Sequence, residues 1–268
     1  MKILNGSELA GFIKERQARQ VRSLQAQGVK PRLLIIRDSD NPVIMKYVKY
    51  KVRYGEDIGI NVEDYLADGP DDNVKRITEA NADPNVHGVI IQLPLARADK
   101  TQTEELCNLI APEKDVDGLG ADGRYDSATA TAILWLLSGY DIELKGRKIA
   151  IVGRGKLVGA PLFKMLSNSG YDVELFHRGS DLTKLKQFDI IITATGQPGL
   201  VSDEMVRAGS VVVDAGTASE DGVLKGDVAD TVRERQDLGA ITPITGGVGP
   251  LTIAALFEHV VQACQPNY

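Results

Sequence analysis

The sequence predicts an α/β protein of two domains. The second is expected to be a doubly wound Rossmann-type parallel sheet, and the first a smaller three-layer α/β domain completed by the C-terminal helix. Three observations carry this expectation. Short apolar runs alternate with stretches of helical period along most of the chain. The runs, among them RLLIIR, GVIIQL, KIAIVG and SVVVDA, are continuous rather than alternating, as expected of strands covered on both faces in a parallel sheet. A glycine-rich stretch from Gly153 to Gly159 then separates one such run from a helical segment.

Taken in order, residues 6–27 have helical period and 32–37 predict a short buried strand. Asn41-Pro42 supplies a cap and a first helical residue for a helix reaching about Asp57, where Gly59 stops it. A strand near 61–66, a helix near 72–82, the apolar strand 88–93 and a helix near 101–110 follow. Beyond the Gly/Asp-rich stretch 117–126, the segment ATATAILWLLSG at 128–139 predicts a buried helix linking the two halves. The alternation resumes with strands at 148–153, 172–177, 189–194, 210–215 and 239–242, with helical segments between most of them. Residues 251–264 are a last amphipathic helix able to pack back on the first domain. The expected division is 1–120 with 251–268 as a folding unit of its own, and 121–250 as the Rossmann unit; no repeat or low-complexity tract interrupts either.

Composition limits the function classes. Thirty-seven acids against 31 bases give a formal charge of −6 over 268 residues, so no basic footprint for nucleic acid or an anionic membrane is present. The two cysteines, Cys107 and Cys264, lack a CxxC spacing and support neither a disulfide framework nor a zinc ribbon. The N-terminus MKILNGSELAGF has no basic region followed by an apolar run, and no stretch of about 18 apolar residues occurs, so a cytoplasmic protein is expected. The histidines, His87, His177 and His259, have no ligand-spaced partner, so no metal site is expected. A GxSxG elbow is also missing, which argues against a serine hydrolase.

Two groups of residues carry candidate chemistry. Gly153-Arg154-Gly155-Lys156-Leu157-Val158-Gly159 lies between a predicted strand and a predicted helix, where glycines let the backbone approach a pyrophosphate and the helix start solvates its charge. The spacing is GxGxxxG, one longer than the usual fingerprint. At the end of the next strand stands His177-Arg178 instead of the acid that would accept from an NAD ribose; with Arg154 and Arg178 available to a 2′-phosphate, NADP is expected over NAD. The alternative for Arg178 is an exposed turn residue. On the helix from residue 42, Ile44, Tyr47, Val48, Gly55 and Ile58 mark one stripe that includes Lys51, while Lys46, Lys49 and Arg53 lie off it. An inward lysine, with Tyr47 one turn before it, has a pKa lowered toward use in proton transfer; the alternative is a lysine whose stem covers the core while its head snorkels. Gln92 ends an apolar strand just before Pro94, at the edge where open α/β sheets bind ligands. Asp115 and Asp117 stand at the expected domain boundary, where a carboxylate can accept two parallel N–H bonds from a 2-amino-pyrimidinone such as a pterin, or simply close an Asx turn. Residues 242–250, TPITGGVGP, are too glycine-rich for a sheet interior and predict a loop whose backbone approaches a ligand closely.

In this order the segments resemble the bifunctional methylenetetrahydrofolate dehydrogenase/methenyltetrahydrofolate cyclohydrolase family over nearly the whole chain. Tyr47-Val48-x-x-Lys51 is similar to its YVxxK, Gln92-Leu93-Pro94-Leu95 to its QLPLP and residues 112–118 to its PxKDVDG. Gly153-Arg154 through Pro161 resembles GRSxxVGxP, and Gly246 through Pro250 with Thr252 resembles PGGVGPMT. The resemblance implies NADP-dependent oxidation of 5,10-methylenetetrahydrofolate followed by hydrolysis to 10-formyltetrahydrofolate, by a homodimer acting on tetrahydrofolate derivatives. It also implies roles: Lys51 for proton transfer, Tyr47 and Gln92 for orienting it and the folate, and Asp117 for the pterin. Leu93, Gly246, Gly247 and Pro250 would line the folate side, and Gly153, Arg154, Gly155, Val158, Gly159, Arg178, Thr195 and Gly216 would hold NADP. The chain departs from the family pattern at Ile44, where Ser is usual, at Ala96 and Thr245, where Pro is usual, at Gly155 and Arg178, where Ser is usual, and over 127–132, which replaces PCTPxG. Two rivals remain from the residues alone: a homologue that binds folate or nucleotide without turnover, and a two-domain dehydrogenase of an amino acid or hydroxy acid.

Overall fold

A computed structural model describes residues 1–216, 218–220 and 223–265, without the side chains of Ser219, Glu220 and Val223; residues 266–268 of the expected C-terminal segment lie outside the described residues. In chain order the elements are β1 (Lys2–Ile3), α1 (Gly6–Ala26), β2 (Arg32–Arg37), α2 (Pro42–Ile58), β3 (Asn61–Leu66), α3 (Pro70–Ala82), β4 (Gly88–Ile91), α4 (Lys100–Leu109) and α5 (Ala128–Gly139). There follow β5 (Ile149–Val152), α6 (Gly159–Asn168), β6 (Val173–Phe176), β7 (Ile190–Thr193), β8 (Val211–Asp214), β9 (Ala218–Glu220), β10 (Val223–Lys225), α7 (Asp230–Glu234), β11 (Ala240–Ile241) and α8 (Val248–Ala263). They form two compact units, Gly11–Ala128 with the chain from Ile253 onward, and Met1–Ala10 with Thr129–Thr252. The division therefore falls at 128/129 and 252/253 rather than at 120/121 and 250/251. The first ten residues also join the Rossmann unit instead of the other one, because β1 pairs in parallel with β11.

The unit containing α2 is built on a three-stranded parallel sheet of order β3-β2-β4. Strand period explains its layers. Leu34 and Ile36 of β2 point to the same face as Val89 and Ile91 of β4, and pack with Ile77 and Ala80 of α3 and Leu106 and Cys107 of α4. Each such large side chain, fully removed from water, contributes roughly 1.5–3 kcal/mol. On the other face Gly88 lies so close to Val116 and Val260 of α8 that a Cβ there would stand 3.0–3.1 Å from them. Tyr54 of α2 stacks on Phe257 of α8 with ring centroids 5.0 Å apart, and its hydroxyl donates to Gln17 Oε1 of α1 at 2.8 Å. The C-terminal helix thus completes this unit.

The other unit carries a six-stranded parallel sheet of order β1-β11-β8-β7-β5-β6. Strand order reverses at β5, which has β6 on one side and β7 on the other, so the loops after β5 and β7 lie at the switch point of a doubly wound sheet. Ala150, Val152, Ile191, Val212 and Ile241 are buried on one face with Phe176, Leu185, Val201 and Val232. Several expected bounds shift for local reasons. α3 starts at Pro70 and α8 at Val248, because proline is tolerated in a first helical turn. β4 stops at Ile91, although Gln92 N–H still donates to Ile36 O at 2.8 Å, and the Leu93–Pro94 bond beyond it is cis.

Candidate functional site

Helix α2 presents the central lysine. Asn41 Oδ1 accepts from the Val43 N–H at 2.9 Å, Pro42 follows at the first position, and Gly59 at φ 86° ends the helix in the left-handed region. Ile44, Val48, Tyr54, Gly55 and Ile58 are buried on the inward stripe, with Tyr47 and Lys51 half-buried along it. The Lys51 ammonium does not snorkel to open water: Nζ donates to Gln92 Oε1 at 2.8 Å, and Gln92 Nε2 donates to Leu93 O at 3.2 Å. Burial lowers the Lys51 pKa, and the negative charge of Asp117 opposes that shift. Burial likewise raises the Asp117 pKa, with Lys51 and His259 pulling it down and Asp115 pushing it up. A lysine and a carboxylate are therefore held together, each with its charged form disfavoured by the surroundings.

The segment carrying Asp117 is fixed by its neighbours. Lys114 Nζ donates to the carbonyls of Ala80, Asn81 and Asp83 at 2.8, 2.9 and 2.7 Å. Asp115, not Asp117, closes the Asx-type turn, accepting from Gly118 N–H at 3.1 Å and Gly120 N–H at 2.7 Å. His259 on α8 sits with Nδ1 2.8 Å from Val116 O and stacks on Tyr125 at 4.8 Å. With the turn assigned to Asp115, the Asp117 carboxylate remains in electrostatic contact with Lys51. Of the expected site residues, Lys51, Gln92 and Asp117 are brought together, Tyr47 shares their helix, and Leu93 packs against the core beside α3 and α4.

Three buried acids were not singled out by pattern. Asp38, immediately after β2, is 3% exposed and accepts from Ala96 N–H at 2.7 Å and Arg97 N–H at 2.8 Å. Its signal is an acid placed directly behind an apolar parallel strand. In the other unit, Asp227 accepts from the N–H groups of Thr195 at 2.6 Å and Gln197 at 2.8 Å, beside Asp214, which accepts from Gly216 N–H at 3.0 Å and pairs with Arg233. The backbone donors of Thr195 and Gly216, just beyond β7 and β8, are thus held by the carboxylates of Asp227 and Asp214.

The residues after β5 suit a dinucleotide. Gly153 lies at φ 110°, and a Cβ there would overlap the Ala194 carbonyl; a Cβ on Gly159 would overlap the Gly153 carbonyl. Around Gly155, by contrast, a Cβ would meet nothing within 4 Å. α6 starts at Gly159 after Val158 with no side-chain cap, and Arg154, Lys156 and Arg178 are exposed. A tight backbone cradle with cations around it fits a phosphorylated dinucleotide. Gly246 and Gly247 belong to this unit as well, with Gly246 O accepting from Ser7 N–H at 3.0 Å and Gly6 packed so closely on Gly247 O that no Cβ fits. One backbone approach that the loop glycines permit is therefore to the start of α1. Pro250 stands in the first turn of α8. Among the described residues no cluster of three or more His, Cys, Asp or Glu is placed to hold a metal.

Two family models match the chain. Residues 4–117 match the catalytic domain of tetrahydrofolate dehydrogenase/cyclohydrolase, and residues 127–268 match the NAD(P)-binding domain of the same family. A bifunctional FolD protein of Macrococcus caseolyticus is 38% identical, over 98% of each chain. The crystal structure of the bifunctional FolD methylenetetrahydrofolate dehydrogenase/cyclohydrolase of Campylobacter jejuni superposes with a TM-score of 0.91 at 33% identity, covering 98% of both chains. That of the Trypanosoma brucei enzyme, complexed with NADP cofactor and inhibitor, gives a TM-score of 0.89 at 25% identity over 98% of this chain and 96% of that one.

Proposed function

The chain belongs to the tetrahydrofolate dehydrogenase/cyclohydrolase family, and from that premise we propose how its two reactions are divided among its residues. The protein oxidises 5,10-methylenetetrahydrofolate to the 5,10-methenyl cation with NADP, and hydrolyses that cation to 10-formyltetrahydrofolate. The chemistry NADP supplies when bound is acceptance of the hydride lost by the methylene carbon. Gly153, Arg154, Gly155, Val158, Gly159, Arg178, Thr195 and Gly216 would hold it, and the two exposed arginines would supply the cations that a 2′-phosphate needs, setting a preference over NAD. Because the carbon that loses hydride lies between two nitrogens, its cation is resonance-stabilised, so this step asks the protein for orientation more than for a base.

Hydrolysis asks for proton movement. Water attacks the methenyl carbon, and Lys51, when in its unprotonated form, takes one of its protons as the C–O bond forms. The same group returns that proton to N5 as the C–N5 bond breaks, and the remaining hydroxyl proton leaves to solvent as the formyl C=O closes. Help of this kind is worth about 10²–10⁴-fold. The observation that carries the assignment is the 2.8 Å contact of a half-buried lysine, its pKa lowered, with Gln92 Oε1. Gln92 holds Nζ in place, Tyr47 orients it with the folate, Leu93 lines the folate side and Asp117 receives the pterin edge. The unit of residues 11–128 and 253 onward is the folate-binding catalytic one, and that of 129–252 binds NADP.

Lys51→Met is expected to abolish hydrolysis of the methenyl substrate, followed by its absorbance, and to damage dehydrogenation less. Equal retention of both activities would remove Lys51 from the mechanism. The protein is further proposed to work as a cytoplasmic homodimer, which sedimentation equilibrium tests; among the described residues no helix is long and apolar enough to cross a membrane.

A further inference from the structure

Gln92 can hold the Lys51 ammonium only if the chain leaving β4 is itself held. That chain, Leu93 to Arg97, departs from the family's QLPLP at its last position, where Ala96 replaces proline. A proline has no N–H to offer; alanine, exposed here, brings a backbone donor into the segment that a carboxylate of the neighbouring strand can hold. The structure supplies the partner from the neighbouring strand. Asp38 follows directly on β2, which pairs with β4 through Leu33↔Gly88 to Ile36↔Ile91, so the ends of the two strands lie side by side. Its buried carboxylate accepts from Ala96 N–H with one oxygen, at 2.7 Å, and from Arg97 N–H with the other, at 2.8 Å. Two charge-assisted bonds from one planar group fix the orientation of the segment as well as its position. The preceding residue, Arg37, is tied by its guanidinium to both oxygens of Asp64 at 2.7 and 3.1 Å and to Asp40 at 2.6 Å, which anchors the backbone that presents Asp38.

We infer that Asp38 is a positioning residue for hydrolysis: by clamping the N–H groups of Ala96 and Arg97 it sets the 92–97 segment, and through Gln92 the place of the Lys51 amine. The inference rests on the role given to Lys51 above, and deepens it. Asp38 touches no reacting atom in this account and acts through Gln92 alone.

The test uses Asp38→Asn and Asp38→Ala in the full-length protein. In Asp38→Asn one of the two amides would face an NH2 group instead of an acceptor, while the volume is kept; Asp38→Ala removes both acceptors. Both are expected to lower kcat for methenyltetrahydrofolate hydrolysis by about 10-fold or more, with the NADP dissociation constant, read by fluorescence titration, unchanged. A merely structural loss would not move the pH profile. Here the inflection set by Lys51, which Gln92 and Asp117 face, is expected to move to higher pH as Nζ regains water. Unchanged hydrolysis and an unchanged profile in a folded Asp38→Asn protein would overturn the inference and leave the role of Lys51 standing. Retained hydrolysis in Lys51→Met would instead strike the underlying assignment. Should the variants fail to fold, amide hydrogen exchange in the unmodified protein decides: the Ala96 and Arg97 N–H groups are expected to be protected, and fast exchange at both would overturn the clamp.

Discussion

At the scale of single residues the charges of the half-buried Lys51 and Asp117 are in opposition to stability, and this yields predictions of definite sign. The Lys51 pKa is lower in the folded state than in the unfolded chain. The folded protein therefore binds fewer protons between the two values, and stability rises with pH across that window. Below the folded pKa the full cost is present, and above the unfolded pKa it is gone. Lys51→Met removes the cost, so its melting temperature at neutral pH should hold or rise even as hydrolysis is lost; a fall of several degrees would mean the ammonium is a net structural contact. Asp117 pulls the Lys51 pKa up, so Asp117→Asn is expected to move the hydrolysis inflection to lower pH, opposite to the Asp38 variants. The same change removes a charged acceptor from the pterin edge. At about 1.5–3 kcal/mol for a hydrogen bond to a charged group, KM for the folate should rise on the order of 10–100-fold. A KM within twofold of the unmodified protein would take Asp117 off the substrate.

At the scale of elements, legibility follows the range of the interaction. β2, α2 and β3 are visible in sequence because their period and caps are local: RLLIIR is continuous, Asn41-Pro42 starts a helix and Gly59 stops it. β1 is not visible, since its two residues form a strand only because Ala240 and Ile241 pair with them from the far end of the chain. Site residues sort the same way. Lys51 shows itself by its place in an apolar stripe, whereas Asp38 and Asp227 are defined by backbone partners 58 and 32 residues away. DVDG announces a turn but does not say which aspartate closes it; the Gly118 and Gly120 N–H groups pick Asp115. The glycine loop after β5 shows how the structure separates positions that look alike in sequence. Gly159→Ala drives a Cβ into the Gly153 carbonyl and should cost about 1–3 kcal/mol or more in urea unfolding, together with NADP affinity. Gly155→Ser, the residue usual in the family, meets nothing within 4 Å and should leave the unfolding midpoint unchanged.

For the whole molecule, the division into two units makes the two reactions separable by mutation. Lys51, Gln92, Asp117 and Asp38 all belong to the unit of residues 11–128, and the Gly153–Gly159 loop with Asp214 and Asp227 to the unit of 129–252. Hydrolysis of the methenyl cation moves protons and transfers no electrons, so none of the NADP-holding residues is required for it. Dehydrogenation needs both sets. Gly159→Ala is accordingly expected to lose dehydrogenation along with NADP binding, yet to hydrolyse methenyltetrahydrofolate supplied directly with kcat and KM close to those of the unmodified protein. The complementary variant, Lys51→Met, should still turn methylenetetrahydrofolate over to the methenyl cation, which then accumulates and is seen by its absorbance. If Gly159→Ala, shown folded by its circular dichroism, loses both activities together, the assignment of hydrolysis to residues of one unit fails.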